Sequence, residues 1–339
     1  MSQRLSLVER PRRLRRTDAL RRLSRETVLT PSDFIMPFFI VEGSGQRQPI
    51  PSMPGQARLS VDVLLEEVKV LSDLGVPAIA LFPKVEDGKK TVGGDEAWND
   101  NGLIPRAIKT LKDRFPELMV IGDVALDPFT TTGQDGLVDD VAWPGGTRTT
   151  PEIVNDATVV ALVKQALCEA KAGVDIIAPS DMMDGRIGAL RKALDEAGFE
   201  RTAIMSYAAK YASGFYGPFR DALDSAPRGG LDKKTYQMNP ANRTEALREV
   251  RLDVKEGADI VMVKPALPYL DVVMAVKDAV DVPVAAYHVS GEYSMLKAAA
   301  ERGWLDGDRC MMEAVLSIKR AGADMILTYA ARELAEKLS

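Results

Sequence analysis

Two lysines come at the ends of short apolar runs that have the character of buried parallel strands. Lys264 directly follows the run Ile260–Val263, and Lys210 lies just beyond the run Ala203–Tyr207. Neighbouring strands lie about 4.8 Å apart, so two such ammonium groups would repel each other, and burial would disfavour both charges. One lysine would then be neutral at neutral pH, and a neutral amine attacks carbonyl carbon to form a Schiff base. The alternative is that each lysine pairs with a carboxylate or faces solvent.

Three aspartates lie within a short stretch after another apolar run: Asp123, Asp127 and Asp135. Carboxylates in this arrangement bind a hard cation, orient an amine or move protons. Aspartates that precede Pro128 and Gly136 also form turns without any part in chemistry, and this alternative stays open.

Cations also occur in the segment 213–238, which contains Arg220, Lys233 and Lys234 and is rich in Gly, Pro and Tyr. The segment is too irregular for a helix and too long for a simple βα loop. These properties are expected of a lid over an active site, and the lid cations would bind a substrate carboxylate. A solvated loop with surface charges is the alternative.

The elements that must position these residues repeat along the chain. Eight apolar runs, each followed by a helix-like stretch, are typical of buried parallel strands. The runs are Phe34–Val41, Ala78–Phe82, Met119–Leu126, Asp175–Pro179, Ala203–Tyr207, Ile260–Val263, Val284–Val289 and Met325–Tyr329. Glycines such as Gly75, Gly173 and Gly257 follow the helix-like stretches, as left-handed helix stops do. The pattern predicts an α/β fold, a (β/α)8 TIM barrel. The alternative, a doubly wound sheet, is disfavoured because no G-x-G-x-x-G follows an early strand.

Catalytic groups of such barrels lie where the strands end and the βα loops begin. Besides the two lysines and Asp123, the expected strand ends carry Ser180, Tyr287, Ser290 and Tyr329. His288, beside Tyr287, is either a general base or a hydrogen-bonded core residue.

Composition excludes several classes of protein. The 339 residues include 44 Lys and Arg against 49 Asp and Glu, a net charge of −5, which argues against a globally basic nucleic-acid binder. No apolar run is long enough to span a membrane as a helix. One histidine and two cysteines exclude a multi-histidine metal site, a four-cysteine zinc site and a disulfide framework. We expect a reducing compartment, the cytoplasm.

The N-terminus differs from the rest of the chain. Residues 1–25 hold nine arginines and two acidic residues. An organellar presequence and a nucleic-acid-binding arm are alternatives, but the acidic body of the protein favours an arm that lies on another subunit or in solvent. The predicted organisation is therefore a basic arm over 1–30 and a catalytic barrel over 31–339.

Four long strings of residues resemble the porphobilinogen synthase family, also called 5-aminolevulinate dehydratase. They are MSYAAKYASGFYGPFRD from Met205, VMVKPALPYLD from Val261, APSDMMDGR from Ala178 and YHVSGEY from Tyr287. The resemblance runs from about residue 30 to the C-terminus. It implies a (β/α)8 barrel whose N-terminal arm embraces a neighbour, and dimers that build hexamers or octamers. It also implies that two molecules of 5-aminolevulinate condense to porphobilinogen, with loss of two waters, in heme and chlorophyll biosynthesis.

The resemblance further implies roles for individual residues. Lys264 and Lys210 match the two Schiff-base lysines, with Lys264 binding the substrate that supplies the propionate side. Asp123 would steer the free amine or relay protons. The remaining matched positions bind substrate, namely Ser290 and Tyr329 for the first carboxylate, Arg220, Lys233 and Gln237 for the second, and Ser180, Tyr287, Asp127 and Asp135 nearby.

Metal use departs from part of the family. Zinc-dependent relatives place three cysteines where this chain has Ala125, Asp127 and Asp135, so a catalytic three-cysteine zinc site is not expected. The chain resembles the zinc-independent branch, without an organic cofactor. Glu249 matches a carboxylate that holds an activating, allosteric Mg2+ near subunit interfaces. A plain helix-surface glutamate is the alternative there.

Two other functions stay open. A different Schiff-base barrel, such as an aldolase-type lyase, would need one essential lysine and usually a phosphate site. A non-catalytic binding protein would not need two lysines together with a carboxylate clamp.

Overall fold

The computed structural model describes residues 7–139, 152–227 and 232–338. Within them, eight parallel strands pair in chain order, and the last pairs with the first to close a barrel. The strands are β1 (Phe34–Ile40), β2 (Ala78–Pro83), β3 (Met119–Val124), β4 (Ile176–Pro179), β5 (Ala203–Lys210), β6 (Ile260–Lys264), β7 (Val284–His288) and β8 (Met325–Thr328). The closed barrel confirms the predicted (β/α)8 fold and excludes the open doubly wound sheet.

At least one helix follows each strand. The helices are α1 (Asp18–Leu23), α2 (Val61–Asp73), α3 (Leu103–Arg114), α4 (Asn155–Ala172), α5 (Arg186–Glu196), α6 (Gly217–Leu223), α7 (Thr244–Glu256), α8 (Leu270–Lys277), α9 (Ser290–Glu301), α10 (Gly307–Arg320) and α11 (Ala331–Leu338). Every residue of β1 and β7 is buried, because parallel strands are covered on both faces.

The segment 213–238 is more ordered than the sequence suggested. It contains a 3-10 turn, Gly214–Tyr216, followed directly by α6. The expectation that the segment is too irregular for a helix was therefore wrong for its first half. Residues 228–231, within the predicted lid, lie outside the described residues.

A repeated Gly-x-Asp phrase at the starts of alternate strands stabilises the lower end of the barrel. Each aspartate accepts a hydrogen bond from a backbone N–H at the start of the preceding strand, at 2.8 Å in all three cases. The pairs are Asp175 with Val120, Asp259 with Ile204, and Asp324 with Val284. These contacts join the starts of neighbouring strands.

Most of the described part of the N-terminal arm lies outside the barrel core, although Leu29 at its end is buried in that core. Residues 7–19 are all exposed, although α1 is capped by Thr17 and carries ion pairs between Asp18 and Arg21 and Arg22. A partner subunit for the arm stays a prediction. Among the described residues, no helix is long and apolar enough to cross a membrane.

Candidate active site

The two lysines selected from the sequence lie side by side at the rim formed by the strand ends. β5 and β6 each extend far enough to include its lysine, and Lys210 pairs directly with Lys264 in the strand register. Both residues are buried. The predicted proximity of two buried lysines on adjacent strands is confirmed.

Lys210 forms an ion pair with a carboxylate. Its Nζ donates to Asp135 Oδ2 at 2.8 Å and also to the Ser180 carbonyl oxygen. The other oxygen of Asp135 accepts from Lys233 Nζ at 2.5 Å, and Asp127 Oδ2 lies 3.5 Å from the same Nζ. Burial raises the pKa of Asp135, but the two ammonium groups outweigh it and lower that pKa to about 2. Asp135 therefore joins Lys210 and Lys233 as a shared buried counterion.

Lys264 lies in a different environment. Four aromatic rings surround its Nζ, with ring centroids at 4.6 Å for Tyr287, 5.0 Å for Tyr207 and Phe219, and 5.3 Å for Tyr216. Burial, reinforced by the Lys210 ammonium, lowers the pKa of Lys264 to about 7. A substantial fraction of this amine is thus unprotonated at neutral pH, as a nucleophile requires.

Asp123 faces the same space from β3. The residue is partly exposed, but its Oδ1 is buried and has no hydrogen-bond partner among the described residues. Burial and the nearby Asp127 raise the pKa of Asp123 to about 7, although Lys264 and Lys210 oppose the shift. A carboxyl group with this pKa can take up and return a proton at neutral pH.

Most of the predicted site residues line one cleft, and the others lie beside it. The cleft is lined by Asp123, Asp127, Asp135, Ser180, Lys210, Tyr216, Phe219, Arg220, Lys233, Gln237 and Lys264. Arg220 reaches this cleft from α6, and the Lys233 and Gln237 side chains are buried beside it. Arg220, Lys233 and the Gln237 amide therefore line the same cleft as Lys210 and Lys264, and Asp135 links Lys233 to Lys210.

The residues beside the cleft lie on the Lys264 side. Tyr287, whose ring contacts Lys264, shares a 3.0 Å hydrogen bond between its hydroxyl and that of Tyr329. Ser290 begins α9, where its Oγ accepts from the Phe219 N–H at 3.0 Å. The Tyr287 ring thus lies beside Lys264 and its hydroxyl pairs with that of Tyr329, whereas Ser290 is linked to this side through Phe219, whose ring also lies near Lys264.

Sequence reasoning missed the aromatic enclosure of Lys264. Tyr207, Tyr216 and Phe219 were not selected, although all three occur in the string that begins at Met205. The density of aromatic residues in that string was the available signal. His288 is fully buried and its Nδ1 lies 3.0 Å from Thr328 Oγ1, so it is the hydrogen-bonded core residue rather than a general base at the cleft.

The residues at the zinc-ligand positions do not fit a three-cysteine zinc site. Ala125 offers no ligand, and Asp135 is already bound by two lysines. In the part of the chain that the structure describes, no three His, Cys, Asp or Glu side chains converge on one point. Glu249, on α7, is half-buried, and its pKa is raised by burial and by the neighbouring Asp253 and Asp184.

A closed parallel barrel with two buried lysines paired at its rim defines a (β/α)8-barrel enzyme. The chain belongs to the delta-aminolevulinic acid dehydratase family, whose model matches residues 8–337. It is 55% identical to the delta-aminolevulinic acid dehydratase of Bradyrhizobium diazoefficiens over 98% of this chain and 92% of that protein. It is also 55% identical to the chloroplastic enzyme of Selaginella martensii, over 98% of this chain and 78% of that protein.

A solved structure agrees with the same family. The Toxoplasma gondii delta-aminolevulinic acid dehydratase, in complex with the reaction product porphobilinogen, superposes with a TM-score of 0.94 at 50% identity. The match covers 98% of this chain and 92% of that one. These findings confirm the resemblance drawn from the sequence and the predicted lyase activity in porphyrin biosynthesis.

Proposed function

We propose that this chain condenses two molecules of 5-aminolevulinate to porphobilinogen through Schiff bases on Lys264 and Lys210. The observation that carries the proposal is the register pairing of the two lysines, with the pKa of Lys264 lowered to about 7. A single-lysine aldolase mechanism would not need the second buried lysine.

The chemistry begins with imine formation. The neutral Lys264 amine attacks the ketone carbon of the first substrate, and one water leaves. Lys210 binds the second substrate in the same way and releases a second water. Each iminium acidifies the adjacent carbon, so deprotonation gives an enamine. Asp123 is the group placed to move these protons or to orient the free substrate amine.

Two bonds then join the substrates. A carbon–carbon bond forms when the enamine carbon of one substrate attacks the iminium carbon of the other. A carbon–nitrogen bond forms when a substrate amine attacks the other iminium carbon. The substrate amine displaces one lysine from its carbon, and the other lysine is eliminated with loss of a carbon-bound proton. Both lysines leave as free amines, so the two waters released during imine formation are the two lost overall.

Two carboxylate sites would hold the substrates in position. Arg220, Lys233 and Gln237 line the cleft, where Asp135 joins Lys233 to Lys210, and they would bind the carboxylate of the second substrate beside Lys210. Ser290 and Tyr329 would bind the first carboxylate, near Lys264. Fixing both substrates in this way converts a bimolecular encounter into a near-attack arrangement. Ser180, Tyr287, Asp127 and Asp135 would contact or support the bound pair.

The most direct test is product formation. Purified protein incubated with 5-aminolevulinate should give a product whose mass is that of two substrate molecules less two waters. Levulinate, which has the ketone and carboxylate but no amine, is the control and should give no such product. Unchanged 5-aminolevulinate in the presence of folded protein would contradict the proposal.

The reaction is expected to be independent of zinc. The chain has no cysteine at the three zinc-ligand positions, and Asp135 is held by two lysines. A zinc-selective chelator should therefore leave the rate of porphobilinogen formation unchanged. The Mg2+ concentration is held constant, so that any change in rate reports on zinc. Loss of activity that only zinc restores would show that a catalytic zinc site exists.

Magnesium has a separate place in the proposal. Glu249 would hold an activating Mg2+, as the family resemblance implies, with waters as the remaining ligands. Asp253 and Asp184 lie near enough to contribute to its raised pKa, which burial raises most and Arg186 opposes. The ion would supply positive charge at a subunit contact and would take no part in the bond-forming steps.

Assembly and location are also proposed. The exposed basic arm favours dimers that build a hexamer or octamer. The free thiols Cys168 and Cys310 suit a reducing compartment such as the cytoplasm.

The pH dependence of Lys264 should reveal the influence of Lys210. Only the neutral amine attacks, so adduct formation on Lys264 should rise as the pH increases through about 7. Replacing Lys210 by methionine removes a repelling charge, so the pKa of Lys264 rises. The pH range over which adduct formation increases, here called the alkaline limb, then moves to higher pH. The measurement is borohydride-trapped adduct on Lys264 against pH. Lys210→Arg keeps the charge and should leave the limb in place, whereas an unmoved limb in Lys210→Met would contradict the coupling.

A further inference from the structure

The C-terminal end of α6 is bound by two cations from other parts of the barrel. Arg58 donates from Nε to the Ala222 carbonyl oxygen at 2.5 Å and from Nη2 to that of Asp221 at 2.8 Å. Lys90 Nζ donates to the Asp224 carbonyl oxygen at 3.1 Å. The last carbonyls of a helix have no donors within the helix, and cations are favourable at this negative end.

α6 depends on such contacts for its position. Its seven residues form too short a helix to be stable alone. Asp224, at φ 51°, ends the helix in the left-handed region, and the N–H groups of Asp224 and Ser225 both donate to the Arg220 carbonyl oxygen. Arg220 therefore lies in the turn that Arg58 and Lys90 bind.

The two cations come from firmly held parts of the structure. Arg58 belongs to the short strand Ala57–Leu59, which pairs with β1. The Lys90 side chain is only 3% exposed, and its Nζ also lies 3.1 Å from Asp87 Oδ1. Neither side chain lines the cleft, and neither has a part in the proposed reaction.

We propose that Arg58 and Lys90 are positioning residues that hold the last turn of α6, and with it the Arg220 side chain, at the cleft. The inference rests on the proposed function, in which Arg220 binds the carboxylate of the second substrate. The first part of α6 is held separately, because the Phe219 N–H donates to Ser290 Oγ. Loss of either cation therefore weakens binding at the Lys210 end more than at Lys264.

Methionine variants remove the donors but keep the length of the side chain. Arg58→Met and Lys90→Met should each raise KM for 5-aminolevulinate about tenfold, as expected for losing charged hydrogen bonds, while kcat changes little. At low substrate concentration, borohydride-trapped adduct on Lys210 should fall and adduct on Lys264 should persist. Arg58→Lys keeps a charged donor and should restore most of the affinity.

The control is Arg47→Met. Arg47 lies on Arg47–Pro49, the strand that pairs with Ala57–Leu59, but it binds Glu67 at 2.6 Å and not α6. Its KM should equal that of the unmodified protein. Thermal melting of all variants should confirm that they are folded, and Arg58→Lys provides a mild second variant at the partly exposed position.

Three results would overturn the proposal. An unchanged KM in Arg58→Met and Lys90→Met would show that the contacts do not position Arg220. Equal loss of adduct on both lysines would show a general structural role. Absence of any adduct in the unmodified protein would refute the proposed function and the inference together. Normal adducts in the unmodified protein, combined with an unchanged KM in both methionine variants, would refute the inference alone.

Discussion

Replacing Lys264 by alanine should lower the rate of porphobilinogen formation by at least about 10³-fold, as for other essential nucleophiles. Its amine is the group enclosed by four aromatic rings, and burial lowers its pKa to about 7. Among the described residues it forms no ion pair within 4 Å, so its removal leaves no buried carboxylate without a partner. The fold should therefore persist. The measurement is the initial rate of product formation together with thermal melting.

Two further variants separate chemistry from packing. Lys264→Met preserves most of the buried volume and should be as inactive as the alanine variant. Lys192→Ala removes a surface lysine whose side chain is 75% exposed and should retain full activity. Normal turnover by Lys264→Met would rule out the covalent mechanism proposed for this residue.

Replacing Asp135 by asparagine should reduce both stability and activity. Asp135 is the common counterion of Lys210 and Lys233, with Nζ–O distances of 2.8 and 2.5 Å. Its loss leaves two buried ammonium groups poorly compensated, and breaking a buried ion pair costs about 3–5 kcal/mol. The cations would also move from the positions in which they face the second substrate. Urea unfolding and kcat/KM measure the two effects.

Asp127→Asn is the matched control for this prediction. Asp127 lies farther from Lys233, at 3.5 Å, and forms no ion pair with Lys210 among the described residues. Its free energy of unfolding should fall by clearly less than that of Asp135→Asn. Equal stability of the Asp135 variant and the unmodified protein would contradict the assignment of Asp135 as the shared counterion.

The barrel could be predicted from the sequence because each unit carries a local signal. An apolar run, a helix-like stretch and a terminal glycine recur, and the repeated aspartates at Asp175, Asp259 and Asp324 mark strand starts. The ends of the strands were less accurate. β5 continues through Lys210, beyond the apolar run, because pairing with β6 extends the strand past its apolar residues.

The lysine pair was also predictable, since both residues follow recognisable strands. The residues that contact the lysines and the helix α6 could not be predicted from the sequence. Asp135 is 75 positions from Lys210 in the sequence, and Arg58 is 164 positions from Ala222. Contacts at such separations depend on how the loops fold over the rim, which local patterns do not encode. Gly217 and Pro218 made the sequence of α6 look irregular, so no helix was predicted there, although proline is well suited to the first turn of a helix.

Both lysines should form Schiff bases with substrate, and borohydride trapping with 5-aminolevulinate would detect them. Reduction fixes any imine as a stable amine, and peptide mass mapping then locates the adduct. We expect adducts on Lys264 and Lys210, and none on the exposed Lys192. Absence of adduct from both lysines, in protein shown to be folded and to make porphobilinogen, would contradict the covalent mechanism.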